Sequence, residues 1–292
     1  MKLKYFIYLI IILTFSLNLS CSPKIKTIIN KHVSSNVHGR ELLKIKLSQK
    51  AINLAEEIEK ICGKPIKEDY DETIEPLAQA NITKDGMPTI TAKPSAVLSE
   101  EIIVHELFHL KMKIRGFPTV SFVKPNNVDK QKTEDLFDFI HLHIFDVIEH
   151  KIFYAELRQL GFKPDADRIS EIEGILAKGK FDNEPVAPLL LSLRYFRCGL
   201  EVNDQPILLK LKTFYQKKGW DSTIKKADKL IEIVNKINPK TPEDEVEAFI
   251  QCANQTIDSS LSFSFVRFEE EQYGTIKRKF AKVQLNINNS PK

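Results

Sequence analysis

The sequence is poor in the residues that build small metal or disulfide frameworks. Of 292 residues only four are cysteine, and no two of them form a CxxC pair, so a zinc-finger or thioredoxin reading has no support. Charge of one sign is not in excess either: 43 Lys and Arg stand against 39 Asp and Glu, a formal +4. Without a basic surplus there is no footprint for nucleic acid. After the first twenty residues no apolar run approaches the ~20 residues that cross a bilayer. Internal repeats and low-complexity blocks are absent as well. What remains is 42% apolar and 28% charged, which excludes a disordered or collagen-like chain. The length suits one large domain or two small ones, with ample core.

The N-terminus reads as an address. Lys2 and Lys4 precede an unbroken apolar run from Tyr5 to Leu13, with a looser continuation to Leu19. This is the charged region and short apolar region of a secretory signal. Leu19-Ser20-Cys21 resembles the lipobox of bacterial lipoproteins. The resemblance implies a signal peptide over residues 1–20, acyl chains on Cys21, and a mature chain held at a membrane of the bacterial cell envelope. Residues 21–39, with His32 and His38, read as a tether. The remaining cysteines, Cys62, Cys198 and Cys252, are expected as buried free thiols.

A first helix is expected from Arg40 to Cys62, stopped by Gly63 and Pro65. Residues 66–78 read as a loop or short helix. Asp85-Gly86 is a turn dipeptide between the β-prone runs Asn81–Thr83 and Thr89–Thr91, so a small hairpin is expected there. Ser99, followed by two glutamates, marks a helix start, and that helix should end at Gly116 and Pro118. A polar loop then leads to a long helix over residues 133–160. Further helices are expected over 166–178, 185–198, 205–219, 221–237 and 242–257. The tail alternates Leu261, Phe263 and Phe265, then Val283, Leu285 and Ile287, as strands do. A C-terminal hairpin with a long EEEQYG loop follows from that pattern. The expected class is mainly α with a small β-sheet, an α+β domain over residues 40–292.

Five of the seven histidines fall between residues 105 and 150. His105-Glu106-Leu107-Phe108-His109 is an HExxH motif within a predicted helix. Histidines at i and i+4 lie about 40° apart around the axis and one turn along it. Both imidazoles can reach one ion at ~2.0–2.1 Å. Zinc brings the pKa of water toward ~7, and Glu106 is placed to take the proton.

On this motif the sequence resembles the zincin metalloproteases, over residues 80–160. The resemblance implies a Zn²⁺ bound by His105 and His109, with Glu106 as general base and proton shuttle. It also implies an edge strand ahead of the helix, assigned to Thr89–Thr91, on which a peptide substrate adds as a further strand. Metzincins place a third histidine six residues after the second. Arg115 stands there, so that subclass is excluded. The gluzincin plan takes a third ligand from a later helix, and three residues qualify. Glu149, in a very apolar stretch with Asp146 on its face, is the first choice. His150 is the second, as ligand or as donor to the oxyanion. Glu134 is the third, because Glu134-xxx-Asp138 has the gluzincin spacing. His141, His143 and Tyr154 are read as structural. Residues 165–292 carry no readable motif.

The function expected is therefore a zinc peptidase tethered at a membrane. The competing reading is a non-catalytic envelope lipoprotein whose HExxH is structural or free of metal.

Overall fold

The computed structural model describes residues 39–74, 76–123, 130–181 and 186–287. The expected signal peptide, Cys21 and nearly all of the tether, His32 and His38 included, lie outside the described residues. The chain is mainly helical with small sheets.

A two-stranded turn comes first, β1 (Glu41–Leu42) and β2 (Ile45–Lys46), ahead of helix α1 (Gln49–Cys62). The helix expected from Arg40 therefore starts nine residues later. Leu43 and Lys44 take positive φ, which a helix does not admit. Ser48 sets the start: its hydroxyl accepts from the Ala51 N–H. Gly63 sets the end, at φ 65°, where a residue without Cβ meets no steric cost.

Residues 66–78 hold a strand, β3 (Lys67–Tyr70), rather than a loop or helix. The hairpin around Asp85-Gly86 is present as β4 (Ala78–Ile82) and β5 (Pro88–Ala92). The sheet order is β3-β5-β4, with β3 parallel and β4 antiparallel to β5. Thr89–Thr91 thus lies in the central strand, and the assignment of it as the edge is corrected. The β4 edge is the one against the HExxH helix. Pro88 is tolerated because it occupies the first position of its strand, opposite Ile82.

Helix α2 (Glu100–Ile114) carries HExxH. Ser99 caps it, accepting from the Ile102 N–H, and Glu100 and Glu101 occupy the first turn. Ile103, Val104, Leu107, Phe108 and Leu110 are fully buried along it, each worth about 1.5–3 kcal/mol of apolar transfer. Next comes β6 (Thr119–Val123), a strand the sequence did not announce.

The long helix expected over 133–160 is present with an interruption. It divides into α3 (Lys130–Ile140), a π-helical segment (His141–Phe145) and α4 (Asp146–Gln159). The Asp146 N–H donates to the His141 carbonyl, one residue further back than an α-helix allows. Five helices follow: α5 (Ala166–Lys178), α6 (Pro188–Glu201), α7 (Gln205–Lys217), α8 (Asp221–Ile237) and α9 (Pro242–Thr256). The chain closes with β7 (Leu261–Tyr273) and β8 (Ile276–Ile287). EEEQYG is therefore mostly strand, and the turn is only Gly274 and Thr275. The second sheet runs β6-β8-β7, with β6 parallel to β8.

Two apolar cores result. One packs α1, β4, β5 and α2 against Phe153, Tyr154 and Leu157 of α4. The other packs α3, α5 to α9 and the second sheet against Val147 and Ile148 of the same helix. Helix α4 belongs to both, and its side facing α2 holds the histidine cluster.

Candidate metal centre

His105 and His109 stand one turn apart on α2, and their Nε2 atoms are 3.1 Å apart. His150 reaches them from α4, with ring centroids 4.7 Å from His105 and 5.4 Å from His109. One ring nitrogen from each of the three lies within 4.8 Å of the others. Phe153 presents its ring edge-on to all three imidazoles, and Tyr154 stacks on His150 at 5.0 Å. This aromatic wall limits how the rings turn.

The far nitrogens of two of these rings are tied down by carboxylates. His109 Nδ1 lies 3.2 Å from Glu149 Oε2. His150 Nδ1 lies 2.7 Å from Glu201 Oε1 on α6. Each carboxylate holds the proton on Nδ1 and leaves the lone pair on Nε2 facing inward. His150 Nε2 is buried and has no hydrogen-bond partner among the described residues.

The ions around the site are paired in turn. Arg197 donates Nε to Glu201 Oε1 at 2.9 Å and Nη2 to Asp146 Oδ2 at 3.0 Å. Arg168 Nε is 3.5 Å from Glu201 Oε2. Burial alone raises the pKa of Asp146 and Glu201, but Arg197 and His150 outweigh it, so both carboxyls fall below the usual range. Asp146 Oδ1 stands 3.6 Å from His150 Nε2, too far for a hydrogen bond.

Glu106 is 7% exposed, and burial pushes its carboxyl up to about 7 against the pull of His109 and Lys113. That places it in the range of a general base at neutral pH. His109 is raised to about 9: burial opposes its charge, and Glu149 overrides burial. His105 has no such partner, and burial together with the charges of His150 and His109 lowers it well below the ordinary value.

The donor set fits a zinc ion. Two nitrogens sharing a tetrahedral ion at ~2.0–2.1 Å stand roughly 3.3–3.4 Å apart, close to the separation of His105 and His109. His105 Nε2 and His109 Nε2 face each other at hydrogen-bond distance, so one of them carries a proton that an ion could replace, and the Nε2 of His150 has no hydrogen-bond partner among the described residues. A cation between the three rings would replace that proton and satisfy the His150 nitrogen.

The expected site residues are thus brought together in part. His105, His109 and His150 form one group, and His109 with Asp146 and Glu149 a second; Glu106 lies on the same helix turn as His105 and acts with His109 and His150 only through space. Glu149 faces the Nδ1 side of His109 rather than the nitrogens that converge. Glu134 lies on α3, beyond the π-helical segment and about 22 Å along the helix from Glu149 at 1.5 Å per residue. His141 packs on Phe137 and Phe145, and His143 on Phe139. Burial, with Arg197 and Arg194, lowers His143 to about 4. Sequence reasoning missed Glu201 and Arg197. Their only signal is a base and an acid at i and i+4, Arg197 and Glu201, on a mostly apolar helix. An apolar cavity of about 350 Å³ between α9 and β7 is lined by Val246, Ile250, Phe265 and Phe268, and none of the cluster borders it. No protein family, curated protein or solved structure matches this chain.

Proposed function

We propose that this protein is a zinc-dependent peptidase, with His105, His109 and His150 as the metal ligands and Glu106 as general base. The observation that carries the reading is the convergence of three imidazoles on one point, one of them with an orphaned Nε2. Zinc, when bound, supplies Lewis acidity toward water and a substrate carbonyl. The Glu106 carboxylate takes a proton from the attacking water and passes it to the leaving amine nitrogen. Glu149 and Glu201 are positioning residues: each fixes the tautomer and the angle of one ligand ring. Arg197 keeps Glu201 and Asp146 ionised. In this reading His150 serves the metal rather than the oxyanion, and Glu149 serves as an orienting partner rather than a ligand.

Elemental analysis paired with a peptide-hydrolysis assay tests the reading. One zinc per chain is expected, with hydrolysis that falls about 10²–10⁴-fold in Glu106→Gln while zinc is retained. Full activity in that variant would overturn it. The burial of Glu106 favours one second reading, a metal that only braces the two cores. Stoichiometric zinc without any hydrolysis would select it.

The mature protein is further proposed to be exported and held at a bacterial membrane through lipidated Cys21. Lys2, Lys4, the apolar run and Leu19-Ser20-Cys21 support this. Labelling with a fatty-acid analogue should mark the parent chain and spare Cys21→Ala; a label that survives the substitution contradicts it.

A further inference from the structure

Two cations, Lys113 on α2 and Arg278 on β8, have no acid in contact among the described residues. Lys113 follows Glu106 by seven residues on α2, so their side chains leave the same face about 10 Å apart. Its ammonium donates to the Ala80 carbonyl at 2.5 Å. Arg278 comes from β8 and is 5% exposed. Its Nη1 donates to Asn81 Oδ1 at 3.2 Å and its Nη2 to Thr119 Oγ1 at 2.5 Å. The rings of Tyr273 and Phe280 flank the guanidinium at 5.1 and 5.3 Å.

Among the described residues no carboxylate lies within 4.0 Å of either cation. Glu149 acts on both only through space, Glu106 on Lys113 and Glu271 on Arg278. Glu149 is already engaged by His109. Arg278 also opposes the charge on Lys113. Neutral acceptors and two ring faces hold these cations without a carboxylate counter-charge in contact, which leaves them able to take up an anion. The half-buried arginines of the site differ: Arg197 and Arg168 both pair with Glu201.

The position of Ala80 adds a second feature. Thr83 N donates to Met87 O, and Lys93 N donates to Leu77 O. The odd-numbered residues of β4 therefore bond to β5, and the N–H and C=O of Ala80 point to the free edge. Lys113 now occupies that carbonyl. If the ammonium turns to an incoming anion, the edge is released to an extended backbone.

We propose that Lys113 and Arg278 form a carboxylate-recognition subsite, and that the substrate is a peptide bearing a carboxylate about two to three residues from the bond cleaved. The spacing follows from ~10 Å at ~3.3 Å per extended residue. A carboxylate here accepts from an ammonium and a guanidinium together, the strong form of charge-assisted hydrogen bond. The cleavage half of the proposal rests on the zinc-peptidase reading; the binding half does not.

Fluorescence anisotropy on the zinc-loaded Glu106→Gln chain tests binding without turnover. The probes are dye-labelled alanine peptides ending in a free acid or an amide, and amidated peptides with an internal Asp or Asn. At least one acid should bind about tenfold or more tighter than its neutral counterpart, with the preference shrinking at high salt. Which acid wins identifies a terminal or a side-chain source. Adding Lys113→Gln should bring the ratio to about one, and Lys113→Arg should restore part of it. Circular dichroism confirms that the variants fold, and the acid-to-amide comparison on the unsubstituted Lys113 needs no variant at that position. Equal or absent binding of acid and amide overturns the subsite, as does a preference that survives Lys113→Gln. Selective binding by a chain that hydrolyses no peptide before the Glu106 substitution would instead overturn the peptidase reading alone.

Discussion

Nδ1 of His150 lies 2.7 Å from Oε1 of Glu201, a carboxylate 2% exposed and 51 residues away in sequence. That contact turns one imidazole edge of α4 toward the two histidines of α2. Glu201→Gln keeps a hydrogen-bonding side chain of the same size but removes the charge that holds the Nδ1 proton. Zinc affinity should fall about 10–100-fold with stoichiometry still reaching one. Competition with a chromogenic chelator measures it, and an unchanged affinity contradicts the orienting role.

The roles of neighbouring residues separate in the same assay. His150→Ala removes a proposed ligand, so stoichiometric zinc should be lost at micromolar concentrations. Glu149→Gln removes only the partner of His109 Nδ1, so zinc should be retained with about tenfold weaker affinity. The reverse pattern would restore Glu149 as the third ligand.

Glu245 on α9 is fully buried, and neither carboxyl oxygen has a hydrogen-bond partner among the described residues. Burial, then the nearby Glu149, raise its pKa well above the ordinary 4.5. The folded state therefore holds this proton more tightly than the unfolded chain. Its contribution to stability is complete below about pH 4.5 and declines as pH rises toward the folded value, by up to ~1.4 kcal/mol per unit. Glu245→Gln, neutral at every pH, should melt higher than the parent at pH 8, with the gap narrowing toward pH 5. A gap independent of pH in thermal melts would contradict this.

The tip of the β7–β8 hairpin docks on the β4–β5 turn, where Gly274 N–H donates to Lys84 O at 3.1 Å. Gly274 sits at φ 56°, and a Cβ there would meet Asp85 O at 2.4 Å and Gly86 Cα at 2.8 Å. Gly274→Ala should cost about 1–3 kcal/mol, a fall of several degrees in Tm by calorimetry. An unchanged Tm would show that this docking contributes nothing.

Local signals in the sequence were read well. Ser99 before two glutamates placed α2, Asp85-Gly86 placed the hairpin, and the helices at 166–178 and 221–237 match the structure to the residue. HExxH carried His105, Glu106 and His109 because its chemistry is confined to one helical turn. Partners joined only by tertiary folding were not legible. Glu201 and Arg197 meet α4 across a gap of about fifty residues. The π-helical segment at 141–145 turns α4 by a residue that no periodicity announces. Burial argues for Glu149 as a ligand, and Glu149 does stand with His109 and Asp146 in a second group that could hold a metal ion, while a buried carboxylate is satisfied equally by an imidazole N–H. Lys113 and Arg278, on a helix and on a strand far along the chain, bond to the neighbouring residues Ala80 and Asn81 of β4.

X-ray absorption at the zinc edge of the loaded protein tests the central claim most directly. The account predicts one zinc per chain with three imidazole nitrogens at ~2.0–2.1 Å. Two imidazoles with a protein carboxylate, or no stoichiometric zinc, would contradict it.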